Sequence, residues 1–260
     1  MVEYLINKFL ITTNDIITGL TNLSSSQEDF EKLYIACRKK ENRFYTDEQA
    51  AQLPQIEPSH IHYPEWEMRK RSTTRLKICL ENKNKPLTVL EVGCGNGWLS
   101  AGLATIKDSV ITGVDINKTE LEQAQRVFYK IKNVSFIEGD IRTIDFKNIK
   151  FDVIIFAASI QYFPSVKEII QAALSLLNEG GEIHILDSYL YEMSETENAR
   201  KRSLSYYHSL GYEEMAAFYY HHSIDELSSF HYKLLFDPAT IKNKIFGKKD
   251  PFPWICIKRT

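Results

Sequence analysis

No two of the four cysteines in this 260-residue chain stand close together: Cys37, Cys79, Cys94 and Cys256 are far apart, with no C-x-x-C pair. A disulfide framework or a zinc ribbon needs paired cysteines, so neither is expected, no metal site is expected, and a reducing cytoplasm is the expected compartment. Long apolar runs are also missing. The N-terminal residues are apolar in patches, but Glu3, Lys8, Asn14 and Asp15 interrupt them, so neither a signal-peptide core nor a membrane span is expected. Charge of one sign is lacking too. The 32 basic and 34 acidic side chains give a formal −2, which offers no global attraction to nucleic acid or anionic lipid. Two local basic runs, Arg69-Lys70-Arg71 and Lys242 to Lys249, read as solvated faces. Internal repeats, low-complexity tracts and lipidation motifs are absent.

What remains is a chain of ordinary globular composition, long enough for one large α/β domain or one domain with an appendage. Residues 1–85 read as a helical N-terminal extension. Leu5, Ile6, Phe9 and Leu10 suit one face of a first helix. Ser25 with Glu28 forms a capping box before a helix carrying Phe30, Leu33, Tyr34 and Cys37 at i, i+3, i+4 and i+7. Thr46 to Gln49 starts a short helix that Pro54 stops, and Pro64 suits the first turn of a long helix reaching about Asn82. From residue 86 strands and helices alternate: strands at 87–92, 110–114, 134–138, 151–157 and 181–187, and helices near 97–106, 117–131 and 165–177. Alternation of this kind builds a parallel sheet with right-handed crossovers. Asn178 to Gly181 reads as a turn before the fifth strand. A tyrosine-rich helical insert at about 194–227 separates that strand from two more, 230–236 and 254–259, which pair antiparallel at the sheet edge.

The most specific signal is Val89-Leu90-Glu91-Val92-Gly93-Cys94-Gly95-Asn96-Gly97-Trp98, a buried strand running into three alternating glycines and then a helix. Such a turn lets the backbone approach a ligand closely. The dinucleotide fingerprint G-x-G-x-x-G does not fit, because counting from Gly93 its third glycine falls on Trp98. Asp115 ends the second strand, about 20 residues past the glycine turn, where a carboxylate is placed to accept from ribose hydroxyls. Asp140 ends the third strand. Taken singly, each aspartate also suits a helix cap.

The ordered set, Glu-x-Gly-x-Gly-x-Gly followed by Asp115-Ile116 and Asp140-Ile141, resembles the class I S-adenosylmethionine (SAM) methyltransferases over about residues 86–190. The resemblance implies an α/β fold: a seven-stranded, mostly parallel Rossmann-like sheet with helices on both faces, an antiparallel last strand, the helical N-terminal extension acting as a cover, and the insert before the last two strands. It implies SAM as cofactor. Gly93, Gly95 and Gly97 would shape the turn, Asp115 hold the ribose, and Ile116 and Ile141 pack on the adenine. Asp140 would accept from the adenine amino group, Glu91 position the methionine amino group, backbone of Gly93 and Ala157 hold the amino acid end, and Arg69 take the carboxylate. The implied reaction is in-line transfer of the sulfonium methyl to an acceptor, with alignment and desolvation as the protein's main contributions.

The segment after the fourth strand, Ala158-Ser159-Ile160-Gln161-Tyr162-Phe163, lacks the N-P-P-[YFW] tetrad of amino-directed nucleic acid and protein methyltransferases. It is more similar to small-molecule methyltransferases, and the aromatic insert suits a small or lipid-like acceptor. A base is needed only for a nucleophile that keeps its proton; His221, His222 and Tyr63 are the leading candidates, with His60, His62, Tyr189 and Tyr191 behind them. Trp66 suits either core or a lid. Three other readings stay open: an RNA or protein methyltransferase, a non-catalytic SAM-binding protein, and a nicotinamide oxidoreductase, the last disfavoured by Trp98. Pro64 to Arg69 and Pro251 to Ile255 resemble segments of bacterial methyltransferase-like proteins and bring no substrate with them. Oligomeric state has no sequence signal.

Overall fold

A computed structural model describes residues 25–246 and 250–259. The expected first helix at Leu5 to Leu10 lies outside these residues, as does the end of the Lys242 to Lys249 run. Helix α1 is Ser25–Lys40, and the Ser25 side chain expected to cap it lies outside what is described. Helix α2 (Asp47–Gln52) is started by a capping box in which Thr46 and Gln49 satisfy each other's backbone. Helix α3 (Tyr63–Glu81) carries Pro64 in its first turn, where the missing N–H costs nothing.

Seven strands follow: β1 (Thr88–Val92), β2 (Val110–Asp115), β3 (Val134–Glu138), β4 (Phe151–Ala157), β5 (Leu177–Leu186), β6 (Tyr232–Phe236) and β7 (Trp254–Lys258). Their order is β3-β2-β1-β4-β5-β7-β6. The first five are parallel, and β7 runs antiparallel between β5 and β6. Helices α4 (Trp98–Leu103), α5 (Lys118–Phe128), α6 (Val166–Leu176), α7 (Thr196–Leu210) and α8 (Ile241–Phe246) complete the set. One sheet face buries Leu90, Ile154 and Ile183 against Val166, Ile169 and Ile170 of α6. The other buries Val89, Ile111 and Ile155 against Leu76 and Leu80 of α3 and Leu99 and Leu103 of α4. Strands covered on both faces need the continuous apolar runs seen in the sequence.

Several boundaries differ from expectation; the helix expected over 117–131, for one, stops at Phe128. The helix expected over 97–106 stops at Leu103, giving way to turns. Asn178 to Gly181 does not precede β5 but bulges within it: pairing with β4 jumps from Phe151↔Leu177 to Val153↔Glu182, with Gly180 at φ +70°. The turn residues act as expected; flanking ladder bonds let the strand resume on both sides.

A third apolar cluster sits above the sheet. Phe30, Tyr34 and Cys37 of α1 pack on Tyr207 of α7 and on Met215, Phe218 and Tyr219 of the insert, with Ile116 and Tyr162 below. The apolar face read on α1 therefore meets the aromatic insert over the carboxyl ends of the strands.

Candidate active site

Strand order reverses between β1 and β4, so a crevice opens at their carboxyl ends. Its floor is the glycine turn. Gly93 (φ +75°) lies so close to the loop after β4 that an added Cβ would sit 2.5 Å from Ser159 Cβ. Ser159 Oγ donates to Val92 O at 2.6 Å, which ties the two loops across the switch point. Ala158, with a side chain, is nonetheless at φ +54°. Strain of that kind is held only by surrounding contacts, here Ala158 N to Leu186 O at 2.9 Å.

The crevice comprises two adjoining cavities. The first, of about 720 Å³, is lined by Asp115, Ile116, Asp140 and Ile141 on one side and Phe30, Tyr34 and Tyr162 on the other. The second, of about 660 Å³, is lined by Arg38, Arg43, Glu65, Trp66, Arg69, Glu91 and Ala157. Gly93, Gly95, Tyr34, Glu120 and Ala158 line both. Of the ten cofactor residues expected from sequence, nine line one or both cavities. Gly97 lines neither. It caps α4 at φ +77°, and a Cβ there would meet Phe136 at 2.5 Å, so this glycine serves helix–strand packing.

Asp115 is held rigidly. Oδ2 accepts from Gly95 N at 2.7 Å and Oδ1 from Asn117 N at 2.8 Å. Burial raises its proton affinity, and the backbone donors offset only part of that. Glu91 lies buried beneath the turn, accepting from Ser100 Oγ at 2.5 Å. Burial, assisted by the Asp115 charge, pushes its carboxyl up to about 8. Asp140 accepts from Arg142 Nε on both oxygens, at 2.9 and 3.0 Å, and from Arg142 N at 2.9 Å. A ligand amino group at Asp140 must therefore share the carboxylate with a solvent-reaching arginine. Arg69 donates to Glu65 Oε1 at 3.1 Å and lies over the Trp66 ring. Burial alone would raise the Glu65 carboxyl; Arg69 and Arg43 outweigh it and hold it down to about 2. Trp66 donates to Tyr45 OH at 2.7 Å and meets Trp98 edge-to-face, so the buried indole at position 98 packs against it as part of the wall of the second cavity.

Histidine placement departs from the expected base candidates. Among the described residues, no histidine lines either cavity. His222 is buried, with Nε2 2.9 Å from Phe163 O and Nδ1 3.4 Å from Glu226. His221 pairs with Ser203 Oγ at 2.8 Å, and burial lowers its proton affinity. Tyr63 sits in the first turn of α3, bonded through its backbone to His60 O. His60, His62, Tyr189 and Tyr191 are also outside the cavities.

Sequence reasoning missed Phe30, Tyr34, Arg38 and Glu120. The i, i+4 spacing of Phe30, Tyr34 and Arg38 on one helix stripe was available, but it marks a buried face and not what the face covers. Arg38 donates to Tyr162 OH and to Glu41, each at 2.9 Å, which fastens α1 to the loop after β4.

The residues present suit an adenosyl group with an amino acid tail. They supply an anchored carboxylate, two facing isoleucines, a turn whose open side a Cβ would fill, and paired acidic and basic groups at the far end. Phosphate binding by contrast wants free basic or backbone donors at the turn, and Gly95 N is already spent on Asp115.

The fold is that of the doubly wound α/β class, with a crevice at its switch point. The family described as Methyltransferase domain matches residues 83–239, more than half of the chain, and the chain belongs to that family. It is 28% identical over 149 residues to 27-O-demethylrifamycin SV methyltransferase of Amycolatopsis mediterranei, covering 53% of this chain and 54% of that protein. It is 35% identical over 139 residues to MJ0928 of Methanocaldococcus jannaschii, named for protein N5-glutamine methyltransferase activity, covering 51% and 66%. The chain thus spans about half to two thirds of the length of these relatives. In structure it is similar to magnesium protoporphyrin IX methyltransferase of Synechocystis PCC 6803 with bound S-adenosylhomocysteine (TM-score 0.56, 13% identity, 85% of this chain and 94% of that one).

Proposed function

We propose that this protein transfers a methyl group from SAM to a small or lipid-like acceptor. The observation that carries the reading is the convergence, at one switch point, of Asp115, the Ile116–Ile141 pair, Glu91 and Arg69 along a continuous crevice. SAM supplies an electrophilic methyl on a sulfonium, and the leaving thioether is neutral. The chain's task is then to hold the donor straight, exclude water and align the acceptor. Asp115 binds the ribose, Ile116 and Ile141 enclose the adenine, Asp140 takes its amino group, and Glu91 and Arg69 hold the amino and carboxylate ends. Burial raises the Tyr34 and Tyr162 phenols further above neutrality, which disfavours them as bases, and the Tyr162 hydroxyl accepts from Arg38. Residues 25–85 of the N-terminal extension serve as a cover, and the aromatic insert walls the acceptor side.

Likeness to a relative named for glutamine methylation favours protein as a second acceptor class. Against it stands the loop after β4, where Ala158-Ser159-Ile160-Gln161 replaces the tetrad that grips planar amides. The test is S-adenosylhomocysteine release from SAM with separate panels of phenols, fatty acids, macrocyclic and sterol-like alcohols, glutamine peptides and RNA. Turnover confined to the small and lipid-like panels supports the reading; turnover confined to peptides or RNA overturns it. Among the described residues no helix is long and apolar enough to cross a membrane.

A further inference from the structure

Glu120 stands out among the acidic groups of the crevice because no hydrogen bond among the described residues uses its carboxylate. Glu91 is bonded by Ser100, Asp115 by two backbone N–H groups, Asp140 by Arg142, and Glu65 by Arg43 and Arg69. Glu120 occupies the first turn of α5, and its backbone N–H already has a cap in Asn117 Oδ1 at 3.1 Å. The side chain is therefore free of a capping duty. It lines both cavities, at their junction, and Oε2 lies 3.2 Å from where a Cβ on Gly95 would be. No hydrogen-bond donor among the described residues reaches it; only through-space charges act on it.

Its surroundings are as follows. Asp115 faces it from β2, Arg38, Glu31 and Tyr34 from α1, Cys94 from the glycine turn, and Tyr162 from the loop after β4. Arg38 is the one cation of that set, and its guanidinium is bonded to Glu41 and Tyr162. Burial, with the Asp115 charge adding to it, pushes the Glu120 carboxyl up to about 8, while Arg38 offsets part of the shift. A half-buried carboxyl at the junction of two cavities, with no donor among the described residues, is placed to receive a ligand that brings hydroxyl donors to it.

Asp115 and Glu120 flank one residue, Gly95: the first bonds its N–H, and the second lies where a side chain on it would reach. A cis-diol presents two hydroxyls that diverge from adjacent carbons, which two flanking carboxylates can each receive. We propose that Glu120 is a second ribose-binding carboxylate, accepting from one ribose hydroxyl of the donor while Asp115 accepts from the other. The assignment rests on the SAM reading of the crevice. Its consequence is a site that discriminates strongly for an intact ribose, and that holds SAM and S-adenosylhomocysteine alike because both carry the same diol.

The test is calorimetric binding of SAM, S-adenosylhomocysteine and the 2′-deoxy and 3′-deoxy forms of the latter to the full chain and to Glu120→Ala. The expected result is a loss of about tenfold or more for both intact ligands. One of the deoxy forms, the one lacking the hydroxyl that Glu120 receives, should lose nothing further. Equal additional loss for every ligand, or a loss confined to SAM with its charged sulfonium, would overturn the proposal. Glu120→Gln keeps the side-chain shape if the alanine variant misfolds, and the same ligand pattern with a smaller loss is expected. Wild-type protein that binds neither SAM nor S-adenosylhomocysteine refutes the crevice reading itself. Binding that is sensitive to Asp115→Ala but not to Glu120→Ala refutes only the second carboxylate.

Discussion

Asp115 shows how much a single side chain's position depends on backbone around it. Its two oxygens each accept one N–H, which fixes the carboxylate plane and leaves one lone pair on each oxygen for a ligand. Asp115→Ala should therefore weaken SAM binding by about 1–3 kcal/mol, the cost of losing charge-assisted hydrogen bonds. Unchanged calorimetric affinity in a folded variant would refute its role. Glu91 makes a prediction about pH. Its carboxyl is raised from 4.5 to about 8 in the fold, so the folded state holds that proton more tightly than the unfolded chain. The associated stability is fully present below 4.5 and is lost as pH rises through about 8. Glu91→Gln removes this linkage. The wild-type thermal midpoint should fall relative to the variant's between about pH 5 and pH 9, and parallel profiles would contradict the assignment. The aspartates were legible because strand ends and glycine turns fix their spacing. The base candidates were chosen by chemistry alone, and His222, however suited to proton transfer, is tied to Phe163 O and Glu226. Glu120 was hidden as one more charge on an amphipathic helix.

At the scale of elements, glycine at position 97 does structural work that the motif disguised as ligand contact. Gly97→Ala places a Cβ at φ +77° against Phe136 and Ala124. A destabilisation of about 1–3 kcal/mol is expected from strain and displaced packing, read by denaturant unfolding, with direct contact to the donor left untouched. A loss of SAM affinity without loss of stability would reverse that conclusion. Helix α3 meets the segment after α1 through Glu65, which Arg43 and Arg69 share. Because the folded carboxyl is held down to about 2 from 4.5, this contribution is complete above 4.5 and disappears as pH falls through about 2. Glu65→Gln should therefore be less stable than wild type at neutral pH, with the gap closing in acid; a gap that persists at about pH 2 would contradict the pairing. Periodicity located α1 and α5, since an apolar stripe is a local property, and Pro64 marked the start of α3. The end of α4 and the bulge in β5 were not local. Neighbouring strands decided them, through ladder bonds that no window of sequence contains.

For the whole molecule, alternation of strand and helix was enough to anticipate five parallel strands, which follow from chain connectivity and handedness. The antiparallel edge came with the family resemblance, and the strand order that sets the switch point between β1 and β4 came with the structure. The cover over the crevice does not follow from connectivity. Phe30, Tyr34 and Arg38 come from a helix more than fifty residues before the glycine turn, and only packing against the insert brings them over Ile116 and Tyr162. The result is a crevice whose floor is the glycine turn and whose roof comes from the chain's flanks. One crystal structure with S-adenosylhomocysteine bound tests this account most directly. It predicts adenine between Ile116 and Ile141, the ribose diol against Asp115, and the amino acid tail running past Glu91 toward Arg69. A nucleoside found elsewhere, or lying in the crevice with its ribose turned away from Asp115, would contradict it.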